Sequence, residues 1–120
     1  MVLVDTSVWV DHLRQGVPHL SDLLDAGEVA THPFIVGELA CGNMVNRAEI
    51  LRLLSALPTV KVATHDEAFR LTETRRLHGR GIGWIDVHLL ASALLSQTGL
   101  WTRDRSLHSL VKTLGIPEKA

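Results

Sequence analysis

Short apolar runs alternate with helical stretches along this chain. The runs in "MVLVD", "EVATHP", "TVKV" and "LWTRD" have the composition of strands, and a stretch with helical spacing of apolar residues follows each of them. This alternation is typical of α/β proteins, in which right-handed helical crossovers join parallel strands. We therefore expect an α/β fold with a mostly parallel sheet.

The length and composition indicate one ordinary globular domain. The 120 residues suffice for a single core, and we expect one domain over residues 1–120. No apolar run approaches the roughly 18 residues of a membrane span, and Asp5 interrupts the first such run. Cys41 is the one cysteine, which excludes an intrachain disulfide and a thiolate metal cage. These features favour a cytoplasmic protein with no membrane association.

The charges are unevenly distributed along the sequence. Residues 1–46 hold one basic residue and six acids, whereas residues 47–120 hold eleven basic residues and seven acids. The later part could bind a polyanion through its arginines, among them Arg80, Arg103 and Arg105. The alternative is that these arginines lie on solvated helix faces, as most surface charges do.

Four acids stand where an α/β protein commonly has its ligand site. Asp5 and Asp104 follow the first and last candidate strands, and ligands of parallel sheets bind beyond the carboxyl ends of the strands. Asp86 begins a helix after the glycine-containing loop "RGIGW". Glu38 lies within the apolar helix "PFIVGELACG", where we expect it to be largely buried and in need of a partner.

Each acid also has a purely structural explanation. The three aspartates could cap the helices that follow them, and Glu38 could pair with an arginine. The four together are harder to explain in this way, because carboxylates about 4 Å apart repel by about 4 kcal/mol at an effective dielectric of about 20. A hard divalent ion with oxygen ligands would offset this repulsion, so we expect Mg²⁺ or Mn²⁺.

The four acids lie in short motifs that together resemble the PIN domain. The motifs are "VLVDTS" with Asp5, "VGELACG" with Glu38, "GWIDVHLLASAL" with Asp86 and "LWTRDRSLHSLVKTLGI" with Asp104. Their order and spacing are closest to the VapC-like toxins of bacterial toxin–antitoxin pairs, and the resemblance covers nearly the whole chain. It implies a Rossmann-like, three-layer α/β/α fold with a short parallel sheet of four or five strands. The ending "IPEKA" has too few apolar residues for a closing edge strand, which makes the fifth strand doubtful.

The resemblance also implies an activity, partners and residue roles. It implies a toxin that cuts RNA, such as tRNA or a ribosomal RNA loop, with one or two Mg²⁺ or Mn²⁺ ions. A cognate VapB-like antitoxin would silence it, and such toxins commonly form homodimers. The implied catalytic and metal-binding residues are Asp5, Glu38, Asp86 and Asp104. The residues implied to support them by hydrogen bonds are Thr6, Ser7 and Thr102.

RNA contacts are expected from residues beside the acids. Arg103 and Arg105 flank the last of the four acids and could bind phosphates, with Arg80 as a further candidate. Alternatively, one of these arginines neutralises the acids. Trp84 could stack an RNA base or could pack against the protein, whereas the other two tryptophans are expected in the core.

Two other enzyme classes place acids at strand ends, but the sequence lacks their patterns. Haloacid dehalogenase-like phosphatases need a second aspartate two residues after the first, where this chain has Ser7. Receiver domains need an adjacent acidic pair near the first strand and a lysine at the end of a late strand, and the sequence has neither. A non-enzymatic PIN-like module that binds RNA or protein is the remaining alternative.

Overall fold

The computed structural model describes residues 1–118, in which three strands and seven helices follow one another in α/β order. The strands are β1 (Val2–Val4), β2 (Val29–Ala30) and β3 (Gly99–Trp101). The helices are α1 (Thr6–Gln15), α2 (Pro18–Asp25), α3 (Pro33–Ala40), α4 (Arg47–Ser55), α5 (His65–Thr74), α6 (Trp84–Ser96) and α7 (Arg105–Thr113). The predicted α/β fold class is confirmed.

The three strands form a parallel sheet in the order β2-β1-β3. Val2 lies beside Val29 on one side and beside Gly99 on the other. The central strand β1 is therefore fully buried, as its unbroken apolar run indicates. This arrangement places the residue after β1, Asp5, next to the end of β3, where its N–H donates to Trp101 O at 2.9 Å.

The sheet has fewer strands than the four or five that we expected. The candidate strand "TVKV" makes only one bridge, in which Thr31 N–H donates to Pro58 O at 2.8 Å and Val60 N–H donates to Thr31 O at 3.0 Å. Beyond the bridge, the N–H groups of Lys61 and Ala63 donate to serine side chains of α6 at 2.7 and 3.0 Å. These N–H groups are satisfied without a neighbouring strand, so the segment leaves the sheet.

The end of the described chain contacts β3 without forming a strand. Leu100 N–H donates to Pro117 O at 2.8 Å. A Cβ atom at Gly99 would lie 2.9 Å from the same oxygen, so only glycine allows this close approach. Of the doubtful fifth strand "IPEKA", Lys119 and Ala120 lie outside the described residues.

The core is one cluster of apolar side chains around β1. Helix α6 contributes most to it, since all residues from Val87 to Ala93 are buried. Trp9 and Trp101 lie in the core as expected, at 4% and 7% exposure. Within the described residues, none of the helices has both the length and the apolar character needed to cross a membrane.

Candidate active site

Two hydroxyl groups hold Asp5 at the end of β1. Ser7 Oγ and Thr102 Oγ1 donate to Asp5 Oδ2 at 2.7 and 2.8 Å, and Asp5 is only 7% exposed. Asp5 precedes α1, but its side chain makes no capping hydrogen bond, so the capping explanation is wrong for this residue. Its other oxygen, Oδ1, has no hydrogen-bond donor within residues 1–118.

The same hydroxyl groups connect Asp5 to the backbone after β3. Ser7 Oγ accepts from Arg103 N–H at 3.0 Å, and Thr102 Oγ1 accepts from Asp104 N–H at 3.1 Å. Each hydroxyl has one hydrogen, which it donates to Asp5, and lone pairs that remain for these N–H groups. Ser7 and Thr102 therefore fix the end of β1 relative to the segment that carries Asp104.

Asp104 is the N-terminal capping residue of α7. Its Oδ1 accepts from Leu107 N–H at 2.9 Å, so the capping explanation holds for this oxygen. The other oxygen, Oδ2, has no donor in the described part of the chain, and the residue is exposed. The cap orients the carboxylate and leaves one oxygen available to a ligand.

Glu38 is exposed, which corrects our expectation of a buried side chain. Helix α3 buries Ile35 and Leu39, whereas Glu38 lies against the start of α1, where Thr6 Oγ1 donates to its Oε1 at 2.8 Å. The apolar composition of α3 does not reveal that only one of its faces is covered. No arginine or lysine among residues 1–118 pairs with Glu38, so the suggested arginine pair is absent.

Asp86 is the third residue of α6, and its Oδ2 accepts from Gly83 N–H at 3.3 Å. Burial raises the pKa of Asp86, whereas the Gly83 N–H lowers it. The negative charges of Asp5, Asp104 and Glu38 raise it further. Acids from four separate stretches of the sequence therefore share one electrostatic environment.

The four acids have one further property in common. In each, one carboxylate oxygen accepts a hydrogen bond from the protein, and the other has no donor within the described residues. None of the four pairs with a lysine or arginine there. The charge of these four acids is thus not offset by an ion pair within the described residues.

The donor set suits a hydrated divalent ion. In the part of the chain that is described, no group of three or more His, Cys, Asp or Glu side chains is close enough to enclose a metal ion directly. Mg²⁺ is usually bound through one or two carboxylates and keeps several of its waters. The oxygen donors therefore suit a hard divalent ion that keeps part of its water shell.

The arginines near the site differ in their partners. Arg103 Nη1 contacts Asp11 Oδ2 at 2.5 Å, so its guanidinium pairs with a carboxylate outside the four acids. No arginine forms an ion pair with any of the four acids within the described residues. Arg80 and Arg105 instead line one cleft together with Ser106.

Trp84 is partly open to solvent at the start of α6. Its ring lies edge-on to His88, with ring centroids 4.7 Å apart, and beside His65 at 5.2 Å. The residue is 41% exposed, in contrast to the two buried tryptophans. Part of the ring is thus fixed by packing, and the rest is accessible.

The sequence matches the family model of the PIN domain over residues 2–112. The chain belongs to the PIN-domain family. Ribonuclease VapC32 of Mycobacterium tuberculosis, from strains CDC 1551 / Oshkosh and ATCC 25618 / H37Rv, is 45% identical over 117 residues. These residues cover 97% of this PIN domain protein and 94% of the relative. The chain is therefore a PIN domain of the VapC ribonuclease type.

Two solved structures share this PIN fold at 20% sequence identity. VapC20 of Mycobacterium tuberculosis, described as a sarcin-ricin loop cleaving toxin, superimposes with a TM-score of 0.66 over 98% of both chains. PAE2754 from Pyrobaculum aerophilum superimposes with a TM-score of 0.57 over 95% of this chain and 88% of its own. The expected PIN-like fold is thus confirmed.

Three residues beside the site of this PIN domain were not among the predicted site residues. Ser106 and Ser109 share a face of α7 because they are three residues apart, and this helical spacing after Asp104 is the signal that could identify them. No comparable signal pairs Asp11 with Arg103, since the two lie 92 residues apart in the sequence.

Proposed function

We propose that this VapC-type PIN domain is a metal-dependent endoribonuclease toxin that hydrolyses RNA phosphodiester bonds at Asp5, Glu38, Asp86 and Asp104. The observation that carries the proposal is the shared state of these carboxylates, each with one oxygen held by the protein and one without a described donor. Four carboxylates without an ion pair in the described residues attract a cation, whereas they repel the negatively charged RNA unless a cation lies between. The 45% identity to a protein named Ribonuclease VapC32 supports the same conclusion.

The chemistry divides between the metal and the side chains. One or two bound Mg²⁺ or Mn²⁺ ions would lower the pKa of a bound water and polarise the phosphate. We assign Asp5 and Asp104 as direct ligands, because hydroxyl groups and a helix cap fix their carboxylates. Glu38 and Asp86 would act directly or through water, and one of the four would accept a proton from the attacking water.

The supporting residues have distinct tasks in this proposal. Ser7 and Thr102 would keep Asp5 oriented, and Thr6 would keep Glu38 oriented. Trp84 would stack on a base of the RNA with its accessible face. Arg103 would reach a phosphate only by exchanging its contact with Asp11, so we give it a secondary role.

The substrate class and the partners follow from the toxin type. We propose that the substrate is RNA of the translation machinery, tRNA or a ribosomal RNA loop, which places the activity in the cytoplasm. A cognate VapB-like antitoxin would silence the enzyme by filling the site.

A homodimer is supported by the exposed apolar side chains of Phe69 on α5 and Leu94 and Leu95 on α6. Light scattering across a range of protein concentrations tests the dimer.

The substitution Asp5→Asn tests the proposed activity. The amide keeps an acceptor for the hydroxyl groups but loses the charge, so we expect cleavage of structured RNA to fall by at least about tenfold while the fold persists. Cleavage of end-labelled RNA is measured with Mg²⁺, with Mn²⁺ and with EDTA, and circular dichroism checks folding. The matched control is Asp22→Asn, an exposed acid of α2 with no ion pair among the described residues.

The outcomes separate the enzyme from a binding module. Cleavage by wild type and by Asp22→Asn that requires metal, with loss in Asp5→Asn, supports the nuclease. Equal cleavage by Asp5→Asn, or cleavage that persists in EDTA, contradicts the assigned site. Binding of RNA without cleavage by any variant would favour the non-enzymatic alternative.

A further inference from the structure

A cleft of about 250 Å³ lies between the loop before α6 and helix α7. Its lining consists of two basic and two hydroxyl side chains together with one apolar residue, namely Arg80, Arg105, Ser106, Ser109 and Leu110. Every polar side chain of this lining can donate a hydrogen bond, and none carries a negative charge. The cleft is thus suited to an anion.

The two arginines of the cleft have no anionic partner among residues 1–118. Two other arginines, in contrast, are engaged: Arg103 contacts Asp11, and Arg47 donates to Ala40 O at 2.7 and 3.1 Å. Arg80 and Arg105 make no ion pair and no side-chain hydrogen bond in the described chain, and both are exposed. Two guanidinium groups that line one cleft repel each other, and an anion between them would remove that repulsion.

The cleft adjoins the acids through both of its walls. Arg105 directly follows Asp104, and the loop that carries Arg80 ends at Gly83, whose N–H donates to Asp86. The two walls touch where a Cβ at Gly81 would lie 2.8 Å from Ser106 Oγ. A strand bound at the acids would therefore continue past these arginines.

We propose that this cleft binds a backbone phosphate of the RNA strand, next to the phosphate that is cleaved. The inference rests on the proposed nuclease function and adds a second phosphate position to it. The planar guanidinium fork matches phosphate geometry, and the serine hydroxyl groups supply further donors to a tetrahedral group. The contact does not involve the base. It therefore contributes to affinity and fixes the register of the strand, but it gives no base preference.

Binding of a fluorescein-labelled single-stranded RNA in EDTA tests the cleft independently of cleavage. Fluorescence anisotropy at several salt concentrations compares wild type with the double variant Arg80→Gln/Arg105→Gln. We expect the variant to bind at least about tenfold more weakly at 0.1 M salt. The slope of log affinity against log salt should be smaller by about 0.7, because the contact to one phosphate is lost.

The control variant removes the same charge elsewhere. Arg52→Gln/Arg75→Gln changes two exposed arginines outside the cleft that have no ion pair in the described residues. It should keep a salt slope within experimental error of wild type. Circular dichroism and the thermal midpoint check that both double variants are folded.

Four results would overturn the inference. The first is a cleft variant with the affinity and slope of wild type, and the second is an equal loss in the control variant. The third is that the cleft variant loses as much affinity for a poly-glutamate peptide as for the RNA. This result would assign the cleft to an acidic protein segment. The fourth is that wild type itself shows no salt-dependent binding of the RNA. If wild type binds the RNA through the cleft but does not cleave it, the nuclease proposal is refuted and the cleft proposal is not.

Discussion

Gly81 determines how the loop before α6 packs against α7 beside the active site. Its φ of +80° is in the region that disfavours side chains, and a Cβ there would meet Ser106 Oγ at 2.8 Å. The loop before α6 therefore lies close to the Ser106 side chain of α7, at a φ that glycine adopts without strain. This approach brings the backbones that carry Asp86 and Asp104 together.

The substitution Gly81→Ala should destabilise the protein by about 2 kcal/mol, from the strained φ and from the contact with Ser106. In the double variant Gly81→Ala/Ser106→Ala, the nearest side-chain atom is the Cβ at 3.4 Å, so part of the loss should be recovered. Urea unfolding of both single variants and the double variant measures the coupling. A coupling free energy of zero would mean that the contact with Ser106 contributes nothing.

The four candidate acids could be selected from the sequence, but their surroundings could not. Asp5 and Asp104 follow apolar runs, and this local pattern is visible in one dimension. Glu38 was expected to be buried because its neighbours are apolar, yet its exposure depends on how α1 packs against α3. Contacts between distant segments, such as Thr6 with Glu38, leave no local pattern.

Helix α6 is the element that joins the core to the segment where a fourth strand was expected. Ser92 Oγ accepts from Ala63 N–H at 3.0 Å in a buried position, and Ser96 Oγ accepts from Lys61 N–H at 2.7 Å near the surface. The number of strands could not be predicted because these side-chain acceptors replace a neighbouring strand. Where the sequence has no such competitor, at β1, β2 and β3, the predicted strands are present.

The two serines of α6 offer a matched pair of substitutions. Ser92→Ala should lower the free energy of unfolding by about 1 to 3 kcal/mol, because the buried N–H of Ala63 would lose its acceptor. Ser96→Ala should cost less than about 1 kcal/mol, since water can replace the hydroxyl at Lys61. Chemical denaturation of both variants makes the comparison. Equal losses would contradict the importance of burial.

Burial of His32 makes the stability of the whole molecule depend on pH. The residue is 0% exposed, its Nε2 has no partner in the described chain, and its Nδ1 accepts from Phe34 N–H at 2.9 Å. Burial, and then the charge of nearby His88, lowers the pKa of His32 to about 4. Protonation in the folded state would also replace the acceptor at Nδ1 by a donor.

The free energy of unfolding should therefore fall as the pH drops from about 6.5 to about 4. In this range the unfolded chain binds a proton at His32 and the folded chain does not, so acid favours unfolding, by up to about 3 kcal/mol. Denaturation at pH 7.5 and pH 5 measures the loss. His32→Asn keeps an acceptor for Phe34 N–H and does not titrate, so its loss between the two values should be smaller. The same loss in both proteins would assign the effect to other groups.

The parallel pairing of β1 with β3 has a consequence for when the enzyme can first act. Asp5 is synthesised early, but the hydroxyl of Thr102 that holds it comes 97 residues later. A nascent chain that ends before β3 carries three of the four acids, but it lacks Asp104 and the hydroxyl of Thr102. The ribosome that produces this protein thus translates nearly all of the described sequence before a complete site can form.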